Sequence, residues 1–184
     1  MPEPTILVLS GSDRPGSLNA MLAALAARRL GAAATLISLA DYPLPFVDES
    51  HRGHVTPEAA ALGALVGAHA GLFIACPEYN SGYTPALKNA LDWISLARPG
   101  GPALAGKVVA LGGASPGARG AYRSLTQLRS VLELGFGALV IPEMVSVPHA
   151  DKAFDEAGGF IAEANAKALD AALSRLLKLA AAPA

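Results

Sequence analysis

The feature that most constrains this chain is the stretch ILVLSGSDRPGSLN, Ile6 to Asn19, where an apolar run stops at a hydroxyl- and glycine-rich turn and then enters an alanine-leucine helix. Ile6, Leu7, Val8 and Leu9 show no polar alternation, which suits a strand covered on both faces in a parallel sheet. Gly11 and Gly16 give the turn backbone freedom, and Ser10, Ser12, Ser17 and Asn19 supply short polar side chains. A helix opening near Ser17 and Leu18 aims its unpaired amides and the positive end of its dipole at one spot, so an anion is stabilised there without a buried lysine. Arg14 adds a full positive charge. The plain alternative makes Ser17 a helix cap only, yet a cap needs one hydroxyl and this loop offers several.

The loop also limits the kind of phosphate. A dinucleotide fingerprint, G-x-G-x-x-G, needs a second glycine where this chain has Ser12-Asp13. Gly11 and Gly16 have the glycine spacing of a P-loop, but Ser17 and Leu18 follow in place of Lys and Ser/Thr, which argues against triphosphate chemistry. Hydroxyls and one arginine around a helix start suit a terminal monophosphate, with three oxygens to satisfy and a charge of about −2. A flavin mononucleotide carries that group.

Downstream, two kinds of segment alternate. Helix is expected from Ser17 to Leu30, strand from Ala34 to Leu39, and a proline-bearing loop, DYPLPFVDESHRG, from Asp41 to Gly53. Thr56 and Pro57 open a second helix running to about His69, and Gly71 to Cys76 reads as a third, wholly apolar strand. A third helix, PALKNALDWISLA, starts at Thr84 or Pro85 and stops before the break Pro99-Gly100-Gly101-Pro102. Lys107 to Leu111 is expected to be a fourth strand ending in Gly112-Gly113-Ala114-Ser115. A helix from Ala121 to Leu134, a strand from Ala138 to Met144 and a helix from about Gly159 to Leu179 complete the pattern, with fraying expected from Ala180 to Ala184. Five strands, each followed by a helix, predict an α/β three-layer arrangement over residues 1–184: one parallel sheet with helices on both faces.

At 184 residues, 52% hydrophobic and 16% charged, the chain has the material for one well-packed domain, with apolar surface left for another subunit. A formal net charge of −1 leaves no footprint for nucleic acid and no basic run for a membrane surface. One cysteine, no signal core and no long glycine-free apolar run fit a cytoplasmic setting.

In such a sheet a ligand lies outside the carboxyl ends of the strands, where strand order reverses, so three loops become candidates. The loop after strand three, Pro77-Glu78-Tyr79-Asn80-Ser81-Gly82, offers an aromatic face and a run of backbone amides for ring nitrogens and carbonyls. After strand four, Ala114-Ser115-Pro116-Gly117 is placed to cover the ring's other edge.

These segments carry a resemblance. GSDRPGSLN is similar to the G-S-x-R-x-x-S-x-N loop of the NADPH-dependent FMN reductase family, and PEYNSGYTPALKNALDW to its P-E-Y-N-x-x-x-x-P-x-L-K-N-x-[LI]-D-W signature. DYPLPFVDE resembles the family's linker after strand two and GASPGARGA its S-x-G-x-x-G segment, so the likeness runs to about Met144. It implies a flavodoxin-like fold with strand order 2-1-3-4-5. It also implies FMN held at the phosphate by Ser12, Arg14, Ser17 and Asn19, FMN held near the ring by Pro77 to Gly82 and Ser115, and a homodimer or homotetramer. With Ser10, Leu18 and Gly117 from the loops themselves, these make up the candidate cofactor-binding set, and no side chain is required as acid or base. The implied chemistry is hydride passed from NADPH or NADH to bound FMN. A small acceptor (a quinone, azo or nitro compound, free flavin or metal oxyanion) then takes the nicotinamide's place in ping-pong order. A non-catalytic flavodoxin-type electron carrier is the alternative, disfavoured because 15 acidic against 14 basic residues give no strongly acidic docking face. A nucleotide-binding regulatory subunit is a third reading.

Other residues admit plainer roles. Glu78 is a general acid, a backbone-bonding residue or a subunit contact; Lys88 and Asp92 form an i, i+4 pair or, with Asn89, a dimer contact. Leu91 and Trp93 read as core or interface, and Cys76 as a small buried hydrophobe. His51 and His54 lack a further ligand set for zinc, and His69 and His149 are isolated. Asp41 would suit a ribose only with glycines that the first loop lacks. Arg52, Arg119 or Arg123 is available for a nucleotide 2′-phosphate.

Overall fold

The computed structural model describes residues 4–51, 53–98 and 103–182. Pro99 to Pro102 and Arg52 therefore lie outside the described residues. Strands β1 (Ile6–Ser10), β2 (Ala34–Ser38), β3 (Gly71–Ala75), β4 (Val108–Ala114) and β5 (Leu139–Val147) alternate with helices α1 (Leu18–Leu30), α2 (Pro57–Ala68), α3 (Pro85–Ala97), α4 (Tyr122–Ser130) and α5 (Glu163–Ala180). The strands pair in parallel in the order β2-β1-β3-β4-β5, the flavodoxin-like arrangement.

Two apolar layers follow from the alternation of side chains along each strand. Leu7, Leu9, Leu72, Ile74, Val109 and Leu111 face α2, α3 and α4, meeting Leu62, Leu87, Leu91 and Leu125. Ile6, Val8, Phe73 and Ala110 face α1 and α5, meeting Leu22, Ala26, Leu173 and Leu176. Each fully buried leucine or phenylalanine contributes about 1.5–3 kcal/mol.

Helix starts match the sequence signals. Ser17 accepts from the Asn19 amide at 3.2 Å, and Thr56 from Ala59 at 3.1 Å ahead of Pro57. Elsewhere boundaries differ for physical reasons. Gly112 and Gly113 do not end β4 but lie within it, because a Cβ at Gly112 would sit 2.8 Å from the Phe73 ring and one at Gly113 2.7 Å from Ala121. They serve close packing, not a turn. β5 runs past Met144 to Val147: its pairing slips between Val109 and Leu111 of β4, opposite Pro142, which has no N–H to give, and then resumes. α4 starts at Tyr122 after Ala121 in left-handed backbone, and passes at Val131–Gly135 into a π turn. α5 starts at Glu163, preceded by a small turn in which Phe154 and Phe160 stack.

Candidate active site

The first loop is shaped by its own hydroxyls. Ser10 Oγ accepts from the Ser12 amide at 3.1 Å and Ser12 Oγ from the Arg14 amide at 3.3 Å, so the chain curls tightly between β1 and α1. Gly11 is pressed against α3: an added Cβ would meet Leu87 at 3.1 Å, and its carbonyl accepts from the buried Thr84 hydroxyl. Asn19 is buried, and its carboxamide bonds both backbone groups of Ala114, each at 2.9 Å. Ser10 and Asn19 thus brace the loop, while Ser12 and Ser17 accept one amide each and keep their hydroxyl protons to donate. Among the described residues the Arg14 guanidinium has no carboxylate partner. The amides of Leu18 and Ala20 in the first turn of α1 have no intrahelical acceptor.

The second loop is a two-residue hairpin. Tyr79 and Gly82 exchange both backbone bonds at 2.9 Å, and Asn80 and Ser81 have φ of 49° and 71°, the type I′ geometry. That turn leaves the amides of Asn80 and Ser81 outside its own bonding, and Tyr79 stands half exposed. α4 holds the hairpin from behind. Gln127 donates to the Ser81 carbonyl at 3.1 Å, and the buried Glu78 side chain accepts from the Arg123 and Ser124 amides at 3.0 and 3.4 Å. The Arg123 guanidinium also forks onto Glu78. Glu78 therefore caps a helix that has no cap of its own. Burial alone would raise its pKa, but the bonds from Arg123 and Ser124 outweigh that and hold its carboxyl below the usual range. Arg123, occupied by Glu78, is taken from the set available for a 2′-phosphate, and Arg52 lies outside the described residues.

In the third loop, Ser115 Oγ accepts from the Gly117 amide at 3.2 Å, a tight turn beside the Asn19 brace. The loops meet in one cleft of about 130 Å³. Ser12, Arg14, Ser17, Leu18 and Asn19 form one wall, Pro77, Glu78 and Tyr79 the second, and Ser115 the third. Asn80, Ser81, Gly82 and Gly117 continue the same loops beyond this lining, and Ser10 lies beneath it. Ala114 and Pro116, which belong to the third candidate loop but present no side-chain polarity of their own, also line the cleft.

Other candidates resolve into structure. Lys88 and Asp92 pair at 2.6 Å, and Leu91 and Trp93 are core. Cys76 is fully buried, and burial pushes its thiol up to about 12, far from a reactive thiolate. His69 is bonded at both ring nitrogens, to the Leu65 carbonyl and the Thr35 hydroxyl, at 2.7 and 2.8 Å. His51 packs edge-on against Trp93. No cluster of metal-ligating side chains occurs among the described residues.

The donor set fits an FMN phosphate: two serine hydroxyls, a guanidinium and the start of a 13-residue helix converge, with no acid side chain forming the first-loop wall. A parallel sheet of this order with such a cleft at its carboxyl edge defines a flavodoxin-like protein. Within that class, the chain belongs to the NADPH-dependent FMN reductase family, oxidoreductases that work with FMN and NAD(P)H; the family pattern matches residues 4–152. The NADH:(hydroxy)cinnamate reductase subunit of Vibrio ruber is 34% identical over 127 residues, 69% of this chain and 61% of that one. The quinone reductase of Escherichia coli K12 is 35% identical over 130 residues, 69% of this chain and 68% of that one. The flavoenzyme NAD(P)H:(acceptor) oxidoreductase FerB of Paracoccus denitrificans superposes with a TM-score of 0.82 at 27% identity, covering 96% and 97% of the two chains.

Proposed function

We propose that this chain is an FMN-dependent NAD(P)H oxidoreductase that reduces a small acceptor of the quinone class by a ping-pong route. The observation that carries the reading is the convergence of Ser12, Arg14 and Ser17 on the start of α1, opening towards Tyr79. Bound FMN would supply two-electron chemistry, accepting hydride from a nicotinamide and passing it to an acceptor. The chain's own residues bind and orient. Ser12 and Ser17 donate hydroxyl protons to phosphate oxygens, Arg14 offsets their charge, and the Asn19 bridge to Ala114 keeps the first and third loops at a set separation. The Asn80 and Ser81 amides, outside the turn's own bonding, would donate at a ring edge that gains negative charge, and Ser115 and Gly117 would bound the opposite edge. No side chain moves a proton. NAD(P)H, one solvent proton and a quinone become NAD(P)⁺ and a hydroquinone, two electrons passing from the first to the last.

The E. coli quinone reductase and FerB support this reading by name and likeness. Exposed Leu134 and Leu139 support assembly into a homodimer or homotetramer. A single cysteine, and no helix among the described residues long and apolar enough to cross a membrane, support work in the cytoplasm. The test is spectroscopic. The purified protein is expected to take up FMN, to be bleached by NAD(P)H without another protein, and to regain colour when a quinone is added. A protein that stays colourless with excess FMN ends the proposal; one that holds FMN but is not bleached is a carrier.

A further inference from the structure

The segment between β2 and α2 is strapped to α3 around a single residue. Asn89 Nδ2 donates to the Leu44 and Pro45 carbonyls at 3.3 and 2.9 Å, the buried Trp93 donates to Pro45 at 2.7 Å, and the Val47 amide donates to Asn89 Oδ1 at 2.9 Å. The backbone on both sides of Phe46 is thus locked, yet the Phe46 ring is 77% exposed. An aromatic ring on a rigid backbone with so little of its own chain to cover it is a preorganised contact surface.

That ring borders a second cleft, of about 330 Å³, walled also by Leu44, Pro85 and Tyr79 and floored by Ser12 and Asp13. Ser12 and Tyr79 line both clefts, so the two adjoin. Among the described residues that line it, the only charge is that of Asp13, and none is a lysine or arginine. A nicotinamide dinucleotide would bring its pyrophosphate towards an anion with no cation among the described lining residues to receive it, whereas a neutral flat ring meets two aromatic side chains and no charge of its own sign.

We propose that this second cleft is the acceptor subsite, that Phe46 is the wall on which a neutral, planar acceptor of the quinone class stacks, and that Asp13 turns anionic acceptors away. The inference rests on the reading that FMN occupies the neighbouring cleft. It is tested on FMN-loaded protein with 1,4-naphthoquinone and its 2-sulfonate as acceptors. Phe46→Ala is expected to lower kcat/KM for naphthoquinone, and its equilibrium binding to the oxidised protein measured by dialysis, roughly tenfold. FMN affinity and kcat/KM for NAD(P)H should stay at wild-type values, and Phe46→Tyr should restore the quinone. Asp13→Asn should raise kcat/KM for the sulfonate alone. Unchanged quinone kinetics in Phe46→Ala overturn the proposal, as does a loss confined to NAD(P)H. So does a changed oligomeric state with unaltered quinone kinetics, which would mean that a second copy covers Phe46. Failure of the wild-type chain to bind FMN would instead overturn the function itself.

Discussion

At the scale of single residues, chemistry is set by what each polar atom is left to do. Ser10, Asn19 and Glu78 spend their side chains on the protein, while Ser12, Ser17 and Arg14 keep donors facing the cleft. Arg14→Ala should therefore weaken FMN binding by about 1.5–3 kcal/mol, the loss of a charge-assisted bond. A flavin-fluorescence titration checks this, and unchanged affinity would move the phosphate elsewhere. Cys76 makes the opposite point. Its thiol, buried and bonded to the Pro77 carbonyl at 3.3 Å, is held up to about 12. Iodoacetamide at pH 8 should leave the native protein unmodified and add one label after denaturation, as read by intact mass. Labelling of the folded chain at the rate of a free thiol would show that the site opens.

At the scale of elements, the loops are positioned by the helices that follow them. α4 has no side-chain cap of its own; Glu78, 45 positions before Arg123, fills that role and so ties the second loop to α4. This gives a pH dependence with a defined sign. A carboxyl whose native pKa is depressed adds stability that is complete above its ordinary value of 4.5 and is lost as pH falls through the lowered native value. The thermal midpoint of the wild type should thus drop more steeply below pH 4.5 than that of Glu78→Gln. Parallel curves would remove Glu78 from the linkage. α3 works in the same manner through Asn89 and Trp93. The motif that reads as a helix with an ion pair is also the anchor of the strap that carries Phe46.

At the scale of the whole molecule, the two apolar layers leave the carboxyl edge of the sheet as the place where three loops meet without a core between them. A ligand that bridges the loops stabilises the native state by mass action. FMN at about a hundred times its Kd should add ~2.7 kcal/mol to the unfolding free energy, seen as a raised urea midpoint with an unchanged slope. No shift in the midpoint would mean that the loops do not share a ligand.

Whatever depends on neighbours in sequence was legible without coordinates. The apolar runs marked the strands, Ser17, Thr56 and Thr84 marked helix starts, and alternation of the two kinds of segment implied a parallel sheet with its loops at one edge. The hydroxyls and arginine around one helix start pointed to a monophosphate, because helix termini carry unpaired donors wherever they occur. Boundaries set by packing were not legible: Gly112 and Gly113 read as the end of the fourth strand until the Phe73 ring and Ala121 are seen beside them. Nor were the partners of polar side chains, since Asn19 meets Ala114 across 95 positions, Glu78 meets Arg123 across 45 and Asn89 meets Pro45 across 44. Local propensity determines which elements form and which donors are spare. Only the tertiary structure decides which of those donors turn inward to hold the loops and which stay open to a ligand, because that choice is made by groups the fold brings together from distant parts of the chain.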